Sequence, residues 1–480
     1  MAVGIRGFAW APRIPPAYSA GSMSRKSEIL PLAAPLVVSF WLRAAFAWAD
    51  AAFAATLPQG DAALAAIGLT MPFEFLMIAC WVGTSNGLTA RLSAAMGAGE
   101  GQKISQLLRA TRRIVLALCA GFLGLALFLW VRADLFSKDP AVVEALRVYG
   151  SVLLAGSAFT SFWSILPDSI VKAHHDTRST MWAGLLSSVL NLALNALFVF
   201  VFHWGIFGIA LSTVIGRLAG FVYAQRRANH HEAVRKASGA DNQPGRFEHP
   251  VRSVLAIAVP AGTTFVLMSL ELLVVNALLE RQADGTAALA AFSIYDRCLR
   301  FLSMPIIACG VATLPLAARL WGRGDIGGIR SELAVVRRAS LVYAVLVLLP
   351  LALWLGPWVA SALADSEAAR EGARAGMLWV PVAVLVAAPM LVSRSAMEGM
   401  QRPRPGMLAA GLRSLAFVLP LTVLSLWLAP QLGYDVIHGA YAGTTAGSAL
   451  ASILMSRWTR SALLQAQEQA RSATPGPAPA

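Results

Sequence analysis

The chain has 480 residues, of which 57% are hydrophobic and only 13% charged, with a mean hydropathy of +0.63. A soluble chain carries about 25% charged residues, so a soluble enzyme and a largely disordered protein are both excluded. The net charge of +14 would suggest nucleic acid in a soluble protein, but in a polytopic membrane protein the same excess can record topology.

Residues 1–22 contain Pro12, Pro15 and Pro16 and make neither a signal-peptide core nor a span. They are expected to be disordered or to precede a start at Met23, so residues 1–28 form a cytoplasmic N-terminal segment. Twelve apolar runs then follow, each near the 20 or so residues that a bilayer core requires. Six lie in a first lobe (29–225), at 29–57, 62–90, 112–131, 141–171, 180–202 and 205–225. Residues 226–250 are polar and read as a cytoplasmic linker. Six more runs make a second lobe (251–456), at 252–283, 286–318, 334–357, 373–393, 408–430 and 436–456. Residues 457–480 form a cytoplasmic tail, Ala- and Pro-rich at its end. The expected fold class is all-α, a membrane protein of twelve transmembrane helices.

Of the 39 Lys and Arg, 29 fall on the side that carries both termini, 5 on the other, and 5 (Arg43, Arg147, Arg217, Arg297, Arg300) inside spans. This asymmetry puts both termini in the cytoplasm, with the chain in the inner membrane. It also accounts for the basic excess, so nucleic acid is not an expected partner.

The halves repeat at a nearly fixed offset. Pro35 and Pro260, Ala62-Ala-Leu-Ala-Ala66 and Ala287-Ala-Leu-Ala-Ala291, Gly97-x-Gly99 and Gly322-x-Gly324, and Arg112-Arg113 and Arg337-Arg338 are each 225 residues apart. Gly208, Thr213 and Gly216 recur 231 residues on as Gly439, Thr444 and Gly447. Six spans return the chain to its starting side, so the repeats are parallel, about an axis along the membrane normal. Transporters built this way bind substrate between the repeats near the midplane.

Several of these residues carry a family resemblance. The run from Pro35 to Asp50, Ala62–Ala66, Arg91, Gly97-Ala-Gly-Glu100, Thr177-Arg178, Asn191-x-x-x-Asn195, Gly205-x-x-Gly208 leading to Thr213, and Arg413 after Arg402-Pro-Arg404 resemble the multidrug and toxic compound extrusion (MATE) transporters. They are nearest the branch typified by the DNA-damage-inducible protein F. The resemblance implies a two-lobed antiporter in which protons or sodium ions run inward and drive organic compounds out. It also implies a cation site at Asp50, Asn191, Asn195 and Thr213. Asn195 stands where the family often has Asp, which leaves one carboxylate instead of two.

Read on their own, the same residues point the same way. A carboxylate inside a membrane costs about 3 kcal/mol on insertion scales, so it is paired, solvated or used. Five are candidates: Asp50, Glu74, Asp168, Glu271 and Asp296. At about 1.5 Å per residue, Asp50, Asn195 and Thr213 lie at a common depth of roughly 10–12 Å from the non-basic side. Asn191 and Asn195 share a helix face. An all-oxygen set suits a hard cation or a titrating proton. Because only Asp50 is charged, protonation would neutralise the cluster, which favours proton over sodium coupling. Packing and pairing offer a plainer account, with Asp50 against Arg43 and the asparagines as interhelical glue.

Glu74 and Glu271 fall near the midplane and are candidates for a substrate cavity, Glu271 having no partner within its own span. Asp296, Arg297 and Arg300 cluster in the eighth span, where Asp296 and Arg300 are spaced for an i, i+4 ion pair; otherwise they line the cavity. Asp168 sits close to the cytoplasmic end as a helix-end or gate residue. No metal or cofactor is expected beyond the coupling ion, with sodium conceivable only at the Asp50 cluster.

Cys80, Cys119, Cys298 and Cys309 lie in apolar stretches without a CxxC spacing, and the seven His fall in loops or at span edges. Neither set makes a metal centre, no nucleophile motif is present, and an enzyme is not expected. The reading is a monomeric antiporter, in contact with membrane lipid, that exports small organic molecules by alternating access. An exporter or flippase of lipid-linked or anionic substrates is the alternative, kept open by Arg43, Arg297 and Arg300.

Overall fold

The structure, a computed structural model, describes residues 27–46, 49–239, 245–282, 284–364 and 366–472; residues 1–22 of the sequence lie outside them. The first six helices are α1 (Ile29–Phe46 and Ala49–Ala55), α2 (Gly60–Gly97), α3 (Gly101–Leu135), α4 (Pro140–Ala173), α5 (Thr177–Val201) and α6 (Gly205–Ala237). The second six are α7 (Pro250–Glu280), α8 (Gly285–Leu302 and Met304–Gly322), α9 (Ile326–Trp354), α10 (Glu367–Gly399), α11 (Arg404–Gln431) and α12 (Val436–Ser472). A short helix over Gly356–Leu363 joins α9 to α10. Each of α1 to α11 contains a segment long and apolar enough to cross a bilayer. The spanning part of α12 is rich in Gly, Ser and Thr, and completes the twelve.

Local chemistry sets where these helices begin. Asp139 caps α4 by accepting from the Ala141 amide at 2.9 Å, with Pro140 in the first turn. Ser366 caps α10 and Asp325 caps α9, the latter accepting from Gly328 N at 2.7 Å. The break in α8 at Ser303 falls just before Pro305, which has no amide to continue the ladder.

Most helices outrun their apolar windows. Residues 226–237, read as linker, continue α6, because Arg227 and His231, one turn apart, bind Asp176 at the start of α5 (3.0 and 2.8 Å). Residues 457–472, read as tail, continue α12, because Ala462, Leu463 and Ala466 are buried against the second lobe. Residues 240–244 of the linker and 473–480 of the tail lie outside the described residues.

The repeat is visible where the halves meet. A Cβ on Gly97 would collide with the carbonyl oxygen of Arg319, and a Cβ on Gly322 with that of Ala94. Both glycines and both carbonyls are 225 residues apart, so α2 and α8 cross in a reciprocal contact about the pseudo-twofold axis. Gly99 and Gly324, at the same offset, share a left-handed backbone with φ of 72° and 73°.

Hydrogen bonds between the halves gather toward the basic end of this seam. Asn86 donates to Glu398 at 3.1 Å, Gln401 to the Ala90 carbonyl at 3.0 Å, and Arg319 to the Ala173 carbonyl at 2.6 Å. Glu332 of α9 accepts from Ser27 Oγ and from the amides of Glu28 and Ile29 (2.6, 3.0 and 3.3 Å), tying down the start of α1. Farther up, Trp41 Nε1 donates to the Phe301 carbonyl at 3.1 Å beside the α8 break.

Two predictions follow from these contacts. A Cβ on Gly87 of α2 would stand 2.7 Å from the Val254 carbonyl of α7, so Gly87→Leu should lower stability by about 1–3 kcal/mol. Gly121→Leu, in open space on α3, should leave the thermal unfolding midpoint in detergent unchanged. The second concerns the α5–α6 clasp. Burial acts to raise the Asp176 carboxyl, but hydrogen bonds from Ser179, His231 and Arg227 outweigh it and hold the group well below the usual carboxylate range. Its contribution is therefore complete above about pH 4 and is lost as the pH falls below that value. Asp176→Asn should cost roughly 1.5–3 kcal/mol at neutral pH, and its unfolding midpoint should converge on that of the unmodified protein in acid.

Candidate functional site

Close helix packing creates the site. A Cβ on Gly216 would lie 2.6 Å from the Ser187 carbonyl, so α6 rests directly on α5. This contact carries Thr213, about one turn earlier on α6, against Asn191 and Asn195. The second segment of α1, Ala49–Ala55, brings Asp50 to the same point.

The four residues form one hydrogen-bonded cluster. Asp50 Oδ1 accepts from Asn195 Nδ2 at 2.6 Å and from Asn191 Nδ2 at 3.4 Å, and Asp50 Oδ2 lies 3.0 Å from the Thr213 hydroxyl. Asn191 Nδ2 also reaches Thr213 Oγ1 at 3.0 Å. Asn195 is fully buried, whereas Asp50, Asn191 and Thr213 are half-buried. Ser212, also fully buried, lies within hydrogen-bond reach of the Asn195 carbonyl oxygen and of the Ile209 carbonyl, and accepts from Asn191 Nδ2 at 3.3 Å. The Thr213 hydroxyl has a second acceptor in the Ile209 carbonyl at 3.2 Å. With a single proton, it can serve either that carbonyl or Asp50.

The remaining intramembrane carboxylates all have basic partners. Glu74 meets Arg217 of α6 at 3.3 Å, and Arg217 also donates to Ser157 of α4. Asp168 holds Lys172 at 2.6 Å and accepts from Ser85 at 3.3 Å. Glu271 accepts from Arg413 at 2.9 Å and from Ser414 at 2.6 Å, while Arg413 continues to Ser448 of α12 at 3.3 Å. Asp296 accepts from Arg300 Nε at 2.8 Å. Of the five, Asp50 alone is held by amides and hydroxyls, and no ion pair joins it to Arg43 among the described residues.

Two expectations need correction. Glu271 lacks a partner within α7, but α11 supplies one. Arg413, not counted among the basic residues inside spans, stands within the eleventh, in a wide π-type turn over Leu412–Val418 that lets adjacent Arg413 and Ser414 reach one carboxylate. Glu74 and Asp296 are more accessible than Glu271, with side chains 26%, 21% and 10% exposed. Arg43, Arg297 and Arg300 are exposed. The sequence reading missed Ser212 and gave Arg217 no role, although one adjoins Thr213 and the other lies four residues beyond it on the same face of α6 as Thr213.

Comparisons with known proteins bear on the family and the fold. A family model described as MatE matches the chain twice, over residues 35–197 and 260–424. The two matches begin at Pro35 and Pro260, the register of the internal repeat. The chain is 22% identical over 297 residues to "Probable multidrug resistance protein YoeA" of Bacillus subtilis, which covers 58% of this chain and 60% of that relative's length. It is 22% identical over 410 residues to "FAD transporter" of Shewanella oneidensis, covering 83% of this chain and 88% of the relative. A crystal structure of the Vibrio cholerae MATE transporter VcmN shares the fold with a TM-score of 0.79 at 22% identity, over 91% of this chain and 96% of the other. With two matches of one family model, one in each six-helix half, this chain belongs to the MATE family of membrane transporters.

Proposed function

We propose that this protein is a cation-coupled antiporter that exports small organic compounds across the inner membrane by alternating access of its two halves, acting as a monomer with both termini in the cytoplasm. One observation carries the reading: Asp50 is the intramembrane carboxylate whose charge only neutral dipoles compensate. A charge so placed attracts a cation from the adjacent solvent. The other four carboxylates already hold an Arg or a Lys.

The same geometry favours the proton as coupling ion. The Asn195 and Asn191 amides turn their NH2 groups toward Asp50. Sodium coordination would call for amide oxygens, whereas both amides here present NH2 to Asp50. Protonation needs no such oxygens. A neutral Asp50 carries its own donor hydrogen, which can turn to Thr213 Oγ1 while the Thr213 hydroxyl donates to the Ile209 carbonyl. The bonds from Asn195 and Asn191 remain but lose the charge that strengthened them, which loosens Ala49–Ala55 from α5 and α6, biases the first half toward its other conformation, and favours outward release of substrate.

In this reading the accessible pairs Glu74–Arg217 and Asp296–Arg300, with Arg297, line the substrate path. The less accessible Glu271–Arg413 pair ties α7 to α11 and α12. Export of an anionic or lipid-linked substrate is a second reading, favoured by the exposed Arg43, Arg297 and Arg300 and by the similarity to an FAD transporter.

Efflux from proteoliposomes under an imposed pH gradient, and separately under a sodium gradient, tests the coupling. A fluorescent cation and an anionic dinucleotide, assayed in parallel, separate the two substrate classes. Asp50→Asn should bring gradient-driven efflux to background while the protein remains folded; full activity of that variant would overturn the assignment. The Glu271–Arg413 pair should behave differently. Arg413→Gln alone strands a buried carboxylate and should destabilise by about 3–5 kcal/mol. Glu271→Gln combined with Arg413→Gln should recover most of the thermal stability and keep proton-driven efflux.

A further inference from the structure

Away from the seam, α9, α10 and α12 enclose a cavity of about 590 Å³, a size typical of small-molecule sites. Its walls are apolar, with Val386 and Pro389 at the back and Leu341 and Ile453 at the lips, the last two 51% and 52% exposed. Leu341 belongs to α9 and Ile453 to α12, so the mouth opens between helices that face lipid. Two arginines, Arg337 and Arg457, complete one end, and both are exposed. Arg337 stands within the first turn of the apolar run of α9 and Arg457 immediately follows that of α12. They therefore stand where hydrocarbon gives way to headgroups on the basic side of the membrane. Among the described residues no carboxylate pairs with either.

We propose that this cavity binds one anionic phospholipid, with its phosphate between Arg337 and Arg457 and an acyl chain along Leu341, Pro389 and Ile453. Charge complementarity selects the occupant. Basic pockets between transmembrane helices near the membrane surface recruit anionic headgroups, and the amine of a zwitterionic lipid would meet two cations. An apolar cavity behind the arginines adds the requirement for a chain, which free phosphate does not meet.

Native mass spectrometry of the full-length protein, titrated with phosphatidylglycerol or with phosphatidylethanolamine of the same chains, tests this site. One phosphatidylglycerol should be retained preferentially and should resist competition by inorganic phosphate. Arg337→Gln with Arg457→Gln should weaken retention by roughly fivefold for each arginine. Arg460→Gln, exposed on α12 but outside the cavity, should change nothing. Ser393→Phe, which fills the cavity and leaves both arginines, should abolish retention by a separate route. Equal retention of the two lipids, displacement by phosphate, or unchanged binding in the double arginine variant would overturn the proposal.

Discussion

The Asp50 carboxylate, compensated in the membrane by Asn191, Asn195 and Thr213, is the interaction on which the rest of the first half depends. An ion in hydrocarbon is costly unless dipoles or a counter-ion surround it. Neutral donors surround the carboxylate, and each bond also holds α1 against α5 or α6.

The second half meets the same requirement differently. Glu271 ties α7 to α11, and through Arg413 to α12, the counterparts of α1, α5 and α6. Here the compensating group is a tethered guanidinium. A tethered arginine is part of the chain and cannot be exchanged with solvent. Duplication supplied equivalent helices but not equivalent residues: at the 225-residue offset Asp50 corresponds to Val275, one turn beyond Glu271, so one joint has neutral partners and the other a charged one. The contacts that hold the halves together lie mainly at the basic end, where Gly97 and Gly322 let backbones touch.

Much of this was legible before any coordinates. Asp50, Asn191, Asn195 and Thr213 could be grouped because depth follows from helical rise, and because i, i+4 residues share a face. The repeat was readable from glycines and prolines at one offset, since close approach and helix breaks restrict those positions more tightly than ordinary packing does. Arg217 was within reach of the same argument, four residues from Thr213 on one face, whereas Ser212 adjoins Thr213 but points to a different side of the helix. Arg413 was not, because a partner on another helix depends on azimuth as well as depth. Helix ends were also misread at 226–237 and 457–472, where polar contacts to Asp176 and burial of Ala462, Leu463 and Ala466 extend the helices beyond the hydrocarbon.

The sequence by itself determined a duplicated twelve-helix membrane protein and the depth at which its ionisable groups lie, because hydropathy, charge asymmetry and helical rise are properties of a single strand of residues. Only the tertiary structure decided which carboxylate goes without a cation. Pairing depends on how each helix is rotated about its axis against its neighbours, and that rotation is set by contacts between residues far apart in the chain.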